Sequence, residues 1–595
     1  MNREFYDNER EIDLTEQKDL HLREKKVSLA RVVVFLAMAA SFGVGYDYYR
    51  EGYWGAAILF LIFCRLVSYH DEIKSRQKFL TSRLNVLNSY IVRARGTWRK
   101  RSQDGSCYLK NDRPQDTDLY IFGEGSIFQY ICAARTKRGR DRLAESLSPF
   151  PPKDFSEVRI RQHGVAELLQ RPRLALDLEA YARLMPDNHD TTGLLKAVEE
   201  PLKNSPKFLY LRFLPLPIFI IQCILTYHEI LSPLFLPFVP LFSISLALIL
   251  YRYTSEILKP LDIFSKELQL YQSIFERIES TDFSSRSLRN IRNALTGEVS
   301  AAQKIKWLSL LVSVVNAGKN PFAYLVGNSL FLLDFFTAAA FISWRETATN
   351  NLRKWLDAWA EMEVLMIFAS IGQTRDVYCF PKLLDGENPR IKARNLRSIL
   401  IADKNAVPNS ADLRACTTII TGANMSGKTT WIRTLAGAVL LAYAGAPVCA
   451  ESFSVSRMAI FTSIRVNDDI SQGMSTFYAE LLRIKAMIEY SQKKLPMFIC
   501  IDEIFKGTNE EDRLLGAKEA IKRLTNKRSI TLVTTHDFEL CYMTSKNDIP
   551  IYNAHFQEYY EDEKIKFDYQ LREGRCTTTN AKYLLKLTGI LIDEE

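Results

Sequence analysis

Residues 417–421, Thr-Thr-Ile-Ile-Thr, run into Gly422-Ala423-Asn424-Met425-Ser426-Gly427-Lys428-Thr429-Thr430, a strand-type segment followed by a GxxxxGK[ST] pattern. Backbone N–H groups of such a loop, with the N-terminus of a helix opening at about Thr430, surround phosphate oxygens. In that chemistry Lys428 reaches the β and γ oxygens of ATP, and the Thr429 hydroxyl holds Mg²⁺. A second apolar run, 497–501, ends in Asp502-Glu503. This is the arrangement of a carboxylate on Mg²⁺ next to a base that activates water. A third run, 530–533, leads into Thr534-Thr535-His536. Three strands ending in chemistry at one sheet edge, as ligand placement in parallel sheets requires, turn His536 from a packing histidine into a candidate sensor of the γ-phosphate.

These residues need a folded scaffold, and the 595-residue chain is several times a typical domain of about 100–200 residues. A composition that is 47% hydrophobic and 25% charged excludes disordered and collagenous classes. The net charge of +9 is mild for this length and allows an anionic partner, nucleic acid or lipid, without requiring one. The 10 cysteines are scattered with no CxxC pair, which argues against zinc and against a disulfide framework and suits a reducing compartment.

Residues 32–46 and 53–64 are uncharged apolar runs joined by a short polar turn, and a stronger pair covers 208–227 and 231–251. Both pairs read as transmembrane hairpins, short but extended by snorkelling Arg31 and Arg65 in the first case and kinked by Pro215, Pro217, Pro233, Pro237 and Pro240 in the second. Basic residues flank both pairs on the chain-end side, which places the N-terminus, the middle and the C-terminus in the cytoplasm, with the protein multi-pass in the cell membrane. Residues 329–344 carry Asp334 at the centre of an apolar stretch and read as a buried soluble helix. Three-and-four spacing predicts helices over 263–278, 305–315 and 351–371, and the Pro- and Gly-bearing stretch 380–412 marks a domain boundary. The resulting division is 1–31 charged tail, 32–68 first hairpin, 69–115 helical linker, 116–205 start of a helical core, 206–253 second hairpin, 254–380 helical body, and 381–595 nucleotide domain.

Four stretches together, residues 421–430, 468–477 (Asp-Asp-Ile-Ser-Gln-Gly-Met-Ser-Thr-Phe), 501–509 and 535–540, resemble the MutS family of DNA mismatch repair ATPases, within the ABC-type superfamily. The tail adds a hairpin from 553–556 to 569–571 and a last helix from Asn580-Ala581, and residues 118–126 look like the start of that family's core and lever region. The fold class implied is multidomain α and α/β, a helical core and lever with two transmembrane hairpins followed by a P-loop ATPase domain. The resemblance also implies a homodimer whose composite sites take Ser475 and Thr476 from the second copy, with Asp502 on Mg²⁺, Glu503 polarising water, His536 reporting the γ-phosphate, and 507–509 at the dimer contact. Helix capping is the alternative for Ser475, Thr476 and Asn509. The family's Gly-x-Phe-Tyr-Glu mismatch wedge finds no match: Phe5-Tyr6-Asp7 lacks the glycine and the glutamate and reads as part of a solvated helix.

The expected function is a membrane-anchored ATPase that binds DNA, mismatched or branched, in repair or recombination. Basic runs at 98–101, 135–142 and 390–397 are the candidate phosphate contacts, solvated faces being the alternative. A membrane scaffold or signalling ATPase without nucleic acid is the second reading. A transporter is the third, and the position of residues 473–477 well upstream of Asp502 stands against it.

Overall fold

The computed structural model describes residues 3–47, 52–187, 189–199, 207–263, 265–297, 299–423, 425–464, 476–493, 495–505, 509–544, 548–561 and 564–576. Two long antiparallel helices open the chain, α1 (Arg3–Asp47) and α2 (Gly52–Arg95), each roughly 65 Å long at ~1.5 Å per residue. The first apolar hairpin is only their far end. Close crossing there depends on small residues: a Cβ on Gly52 would meet the Gly45 nitrogen at 2.5 Å, and one on Gly55 would meet Ser41 Oγ at 2.6 Å.

The charged segment before the hairpin is a packed stalk, not a solvated tail. Tyr6 is buried against Tyr90, and Arg83 of α2 sits among Glu9 (2.5 Å), Asp13 and Asp177 (3.0 Å). Arg173 also reaches Glu9 and Arg277 also reaches Asp177, so this network ties the stalk to helices Pro172–Arg183 and Ser265–Glu279. Heptad-like apolar spacing was too weak in this charged stretch to announce a partner helix, which is why the sequence read as solvated.

In the second apolar pair the helices are Pro215–Tyr227 and Phe238–Ile263, preceded by 3₁₀ turns Lys207–Phe213 and Pro233–Phe235. Three of the five prolines expected to kink these helices, Pro215, Pro233 and Pro237, sit at element starts instead, and Pro217 and Pro240 lie in the first turn, where the missing N–H costs nothing. Among the described residues four helices are long and apolar enough to cross a membrane by length and composition: Phe5–Tyr46, Gly52–Arg95, Lys207–Tyr227 and Pro233–Leu261.

Helix Leu333–Thr374 is the axis of the body. From Trp355 onward it is apolar nearly all round and buried nearly all round, enclosed by Lys137–Ser146, Ser156–Gln170, Arg286–Thr296 and Ala301–Ala317. The expected buried helix over 329–344 is instead broken: helix Pro321–Leu330 ends, Leu332 takes a left-handed φ of 45°, and the chain turns by 81° into the axis helix.

Beyond Thr374 the chain becomes α/β. A small sheet of order β1-β5-β2-β3 is built from β1 (Lys382–Leu384), β2 (Ile391–Leu396), β3 (Asn409–Leu413) and β5 (Ser452–Ser456). The main sheet has order β10-β9-β4-β8-β7-β6, from β4 (Cys416–Thr421), β6 (Ala459–Ser463), β7 (Met497–Ile501), β8 (Ser529–Thr534), β9 (Ile551–Glu561) and β10 (Lys564–Glu573). All neighbours are parallel except the β9–β10 hairpin, in which Phe556 pairs with Leu571. Strands β4, β7 and β8 are buried from end to end, as their uncharged runs rich in Ile, with Thr in β4 and β8 and Met, Phe and Cys in β7, dictate. Asn580-Ala581 lies outside the described residues.

Candidate nucleotide site

Parallel register brings the ends of β4, β8 and β7 side by side, with Ile420 opposite Thr534 and Val533 opposite Ile501. The loop after β4 then closes over the start of helix Lys428–Ala444. Gly422, at φ +143°, passes so near β9 that a Cβ would meet the Phe556 carbonyl oxygen at 2.7 Å, and Gly427 caps the helix at φ +108°. Both conformations favour glycine. Lys428 is buried and donates from Nζ to the carbonyls of Gly422 (2.6 Å) and Ala423 (2.9 Å). Met425 projects into solvent from the loop, while Ser426 is buried with an Oγ that has no hydrogen-bond partner among the described residues. A buried hydroxyl left unsatisfied inside a loop of this shape suits an oxygen-rich ligand that would complete it. Asn424 lies outside the described residues.

Across from the loop, Thr429 Oγ1 donates to both oxygens of Asp502 (3.0 and 2.8 Å), and Thr534 Oγ1 donates to Asp502 Oδ1 (2.6 Å). Hydroxyl and carboxylate oxygens at this spacing are the hard donor set that Mg²⁺ takes alongside phosphate. Glu503 holds a left-handed φ of 51°, strained for a glutamate. Its N–H is pinned to the Thr534 carbonyl (3.1 Å) and Oγ1 (2.9 Å), and the strain turns its side chain back across the sheet edge. There Glu503 Oε1 lies 3.2 Å from His536 Nε2. Sequence reasoning brought Lys428, Thr429, Asp502, Glu503 and His536 to one edge, and the fold puts them there; Thr534, the residue that joins the two acids, carried no signal beyond its place before His536.

Ser475 lies outside the described residues, as do 465–474, and Thr476 opens helix Thr476–Gln492. That helix is latched to the turn after β7: buried Glu480 accepts the Phe505 N–H at 2.9 Å, and Phe477 meets the Phe505 ring edge-on. At its other side Arg483 and Thr462 both reach buried Asp118 (3.1 and 2.8 Å), and the Arg433 guanidinium donates to the Asp118 carbonyl (2.7 Å). Residues 118–126 therefore touch the phosphate-loop helix and the helix that follows residues 465–475. Asn509 is the N-cap of helix Glu510–Leu524, accepting the Asp512 N–H at 2.9 Å, so the capping alternative is realised there. Gly507 and Thr508 lie outside the described residues.

A cavity of about 370 Å³ opens beside Gly427, with Asn409, Trp431, Phe556 and Tyr569 among its walls. The Asn409 amide bridges β10 by donating to the Tyr569 carbonyl (2.9 Å) and accepting the Leu571 N–H (2.7 Å). Aromatic walls next to a phosphate loop are suited to a nucleobase. Sequence reasoning missed this group, since its members come from four separated segments; the only hint was the aromatic pair in the β9–β10 hairpin.

The three basic runs are largely engaged within the protein. Trp98 is buried and Arg101 donates to the Gln129 and Tyr130 carbonyls. Arg135 pairs with Asp187, Arg138 with Asp357 (2.5 Å), Arg390 with Asp412 (3.3 Å) and Arg394 with Glu451 (3.2 Å).

The family MutS domain V matches residues 418–590. The DNA mismatch repair protein MutS of Natronomonas pharaonis is 28% identical over 248 residues, which are 41% of this chain and 28% of that protein's length. From Thr418 onward the chain is thus similar to the ATPase-bearing C-terminal domain of MutS proteins.

Proposed function

We propose that the protein is a membrane-anchored, MutS-like ATPase that hydrolyses ATP at sites shared by two copies and engages DNA at the cytoplasmic face of the cell membrane. The observation that carries the reading is the sheet edge at which Thr429, Asp502 and Thr534 interlock while Glu503 faces His536. ATP phosphates occupy the loop 422–430, drawing Lys428 Nζ from the loop carbonyls and satisfying Ser426. Thr429 and Asp502 would hold Mg²⁺, which would supply charge neutralisation at the phosphoryl oxygens. Glu503 orients the attacking water, and His536 senses whether the γ-phosphate is present. The aromatic cavity takes the base. Residues 475–476 of a second copy close the site, as the resemblance to MutS proteins implies.

Similarity to a mismatch repair protein supports DNA as partner; the engaged basic runs do not add to it. Steady-state ATP hydrolysis by the full chain in detergent, without DNA and with matched, mismatched and branched duplexes, tests both parts. Glu503→Gln abolishes turnover by a factor of about 10²–10⁴ in this reading. Stimulation by DNA that fades with salt supports nucleic-acid engagement, and a rate indifferent to every DNA favours the membrane scaffold instead.

The membrane reading rests on four apolar helices whose large side chains face outward. Three native cysteines are exposed: Cys64 and Cys223 within the two hairpins, and Cys107 in the body. In inverted membrane vesicles a membrane-impermeant maleimide labels Cys107 and spares Cys64 and Cys223; equal labelling of all three refutes the anchor.

A further inference from the structure

Outside the two hairpins, large apolar side chains are also exposed on two consecutive helices of the body. Phe322 is 76% exposed, Val326 54% and Trp307 49%, with Leu310, Leu325 and Phe331 beside them. Trp307 and Leu310 lie on helix Ala301–Ala317, Phe322, Leu325 and Val326 on the short helix Pro321–Leu330, and Phe331 directly follows it. Soluble proteins rarely leave a patch of this kind to water.

This apolar surface is built, not frayed. Asn320 caps the short helix, accepting N–H groups of Phe322 (2.9 Å) and Ala323 (3.2 Å), and Pro321 takes the first helical position. Buried Asn328 accepts the Asp334 N–H at 3.1 Å and so locks the 81° bend into helix Leu333–Thr374. It also meets the second hairpin: Tyr324 meets Tyr251, Phe336 meets Phe213 edge-on, and Arg212 lies over Phe336. Arg212 and Arg252 of the hairpin and Lys319, just before the short helix, fall near these contacts in sequence.

We propose that residues 307–336 form a collar embedded in the cytoplasmic leaflet, with helix Pro321–Leu330 lying near the membrane plane and its apolar face in lipid. The inference rests on the membrane reading of the second hairpin. Ten helical residues reach about 15 Å, half of the ~30 Å hydrocarbon core, so this helix does not span. An in-plane helix with basic neighbours at headgroup level is the arrangement that fits both its length and its flanks. The 42-residue helix Leu333–Thr374 then starts at the lipid surface and ends beside Arg375, whose guanidinium holds the Ile401 carbonyl (2.7 Å) and Asp403 (2.9 Å) of the nucleotide domain. One rigid element joins the leaflet to the nucleotide domain.

The test is collisional accessibility in liposomes of the full chain, with Cys64, Cys107 and Cys223 replaced by serine and a nitroxide placed at Phe322 or Val326. Ile220 of the second hairpin serves as lipid control and Leu515, exposed on helix Glu510–Leu524, as water control. Labels at 322 and 326 that are reached by oxygen and spared by a nickel chelate, as at 220, are the expected result. Nickel access at 322 and 326 with lipid values at 220 overturns the collar alone, whereas nickel access at 220 overturns the membrane reading itself. Because the substitutions can impair folding, the unaltered protein is also labelled with an apolar diazirine. Carbene adducts on the tryptic peptide 320–345, placed by fragmentation on 322–331, are expected, and their absence beside adducts on 213–252 overturns the collar.

Discussion

Arg83 is the residue on which attachment of the stalk to the body turns, and its removal has a size that the geometry sets. Three carboxylates converge on it, but Glu9 keeps Arg173 at 2.7 Å and Asp177 keeps Arg277 at 2.8 Å. Of the three, Asp13 is stranded: its side chain is 1% exposed and its Oδ2 lacks a partner among the described residues. Arg83→Met therefore leaves one buried carboxylate unpaired, a loss of about 3–5 kcal/mol. Burial first, then the nearby Glu9 and Glu16, already raise the Asp13 carboxyl above its ordinary value against the pull of Arg83. A raised acid stabilises the fold below its unfolded value and loses that contribution as pH rises through the folded one, so the damage in Arg83→Met is full at neutral pH and eases on acidification. Hydrogen exchange of the amides of α1 reads the local opening, expected to speed by a factor on the order of 10²–10⁴ in Arg83→Met and to recover in Arg83→Met with Asp13→Leu. A change below tenfold, or no recovery in the double variant, would refute the assignment of the cost to Asp13.

Thr534→Val removes the hydroxyl that donates to Asp502 and accepts from Glu503, a charge-assisted bond of about 1.5–3 kcal/mol. ATP turnover is expected to fall about 10- to 100-fold, with Thr534→Ser restoring most of it in the same assay. Tyr569→Ala opens the aromatic cavity, and loss of a ring contact of about 0.5–1.5 kcal/mol predicts an ATP KM several-fold higher at nearly constant kcat. Glu363, buried on the axis helix and bonded to Arg135 and Thr136, has its carboxyl pushed up to about 7 by burial. Its native state holds a proton that the unfolded chain releases above about 4.5, so wild type loses stability between there and about pH 7, by about 3 kcal/mol, relative to Glu363→Gln. Thermal melts of both proteins across that range check the sign and size.

Much of the candidate nucleotide site was legible because the chemistry it would perform is local. Gly422, Gly427, Lys428 and Thr429 act through one loop and one helix terminus, and the apolar runs before Asp502 and His536 declare buried parallel strands without reference to anything distant. The apolar hairpins are local too, since length and lack of charge decide what a helix can cross. What needed the tertiary structure were relations between segments far apart in the chain. Tyr6 and Asp13 look solvated until α2 returns 70 residues later with Arg83, because a charged helix becomes a packed one only through its neighbour. The basic runs look available until Asp187, Asp357, Asp412 and Glu451 arrive from elsewhere. The aromatic cavity exists only where β3, the phosphate-loop helix and the β9–β10 hairpin meet, and the 81° break at Leu332 is held by a side chain four positions upstream. Composition and spacing determined which chemistry the chain holds. Pairing of remote charges and packing of remote faces decided which side chains remain to perform it, because the free energy of a charge or an apolar face depends on what covers it.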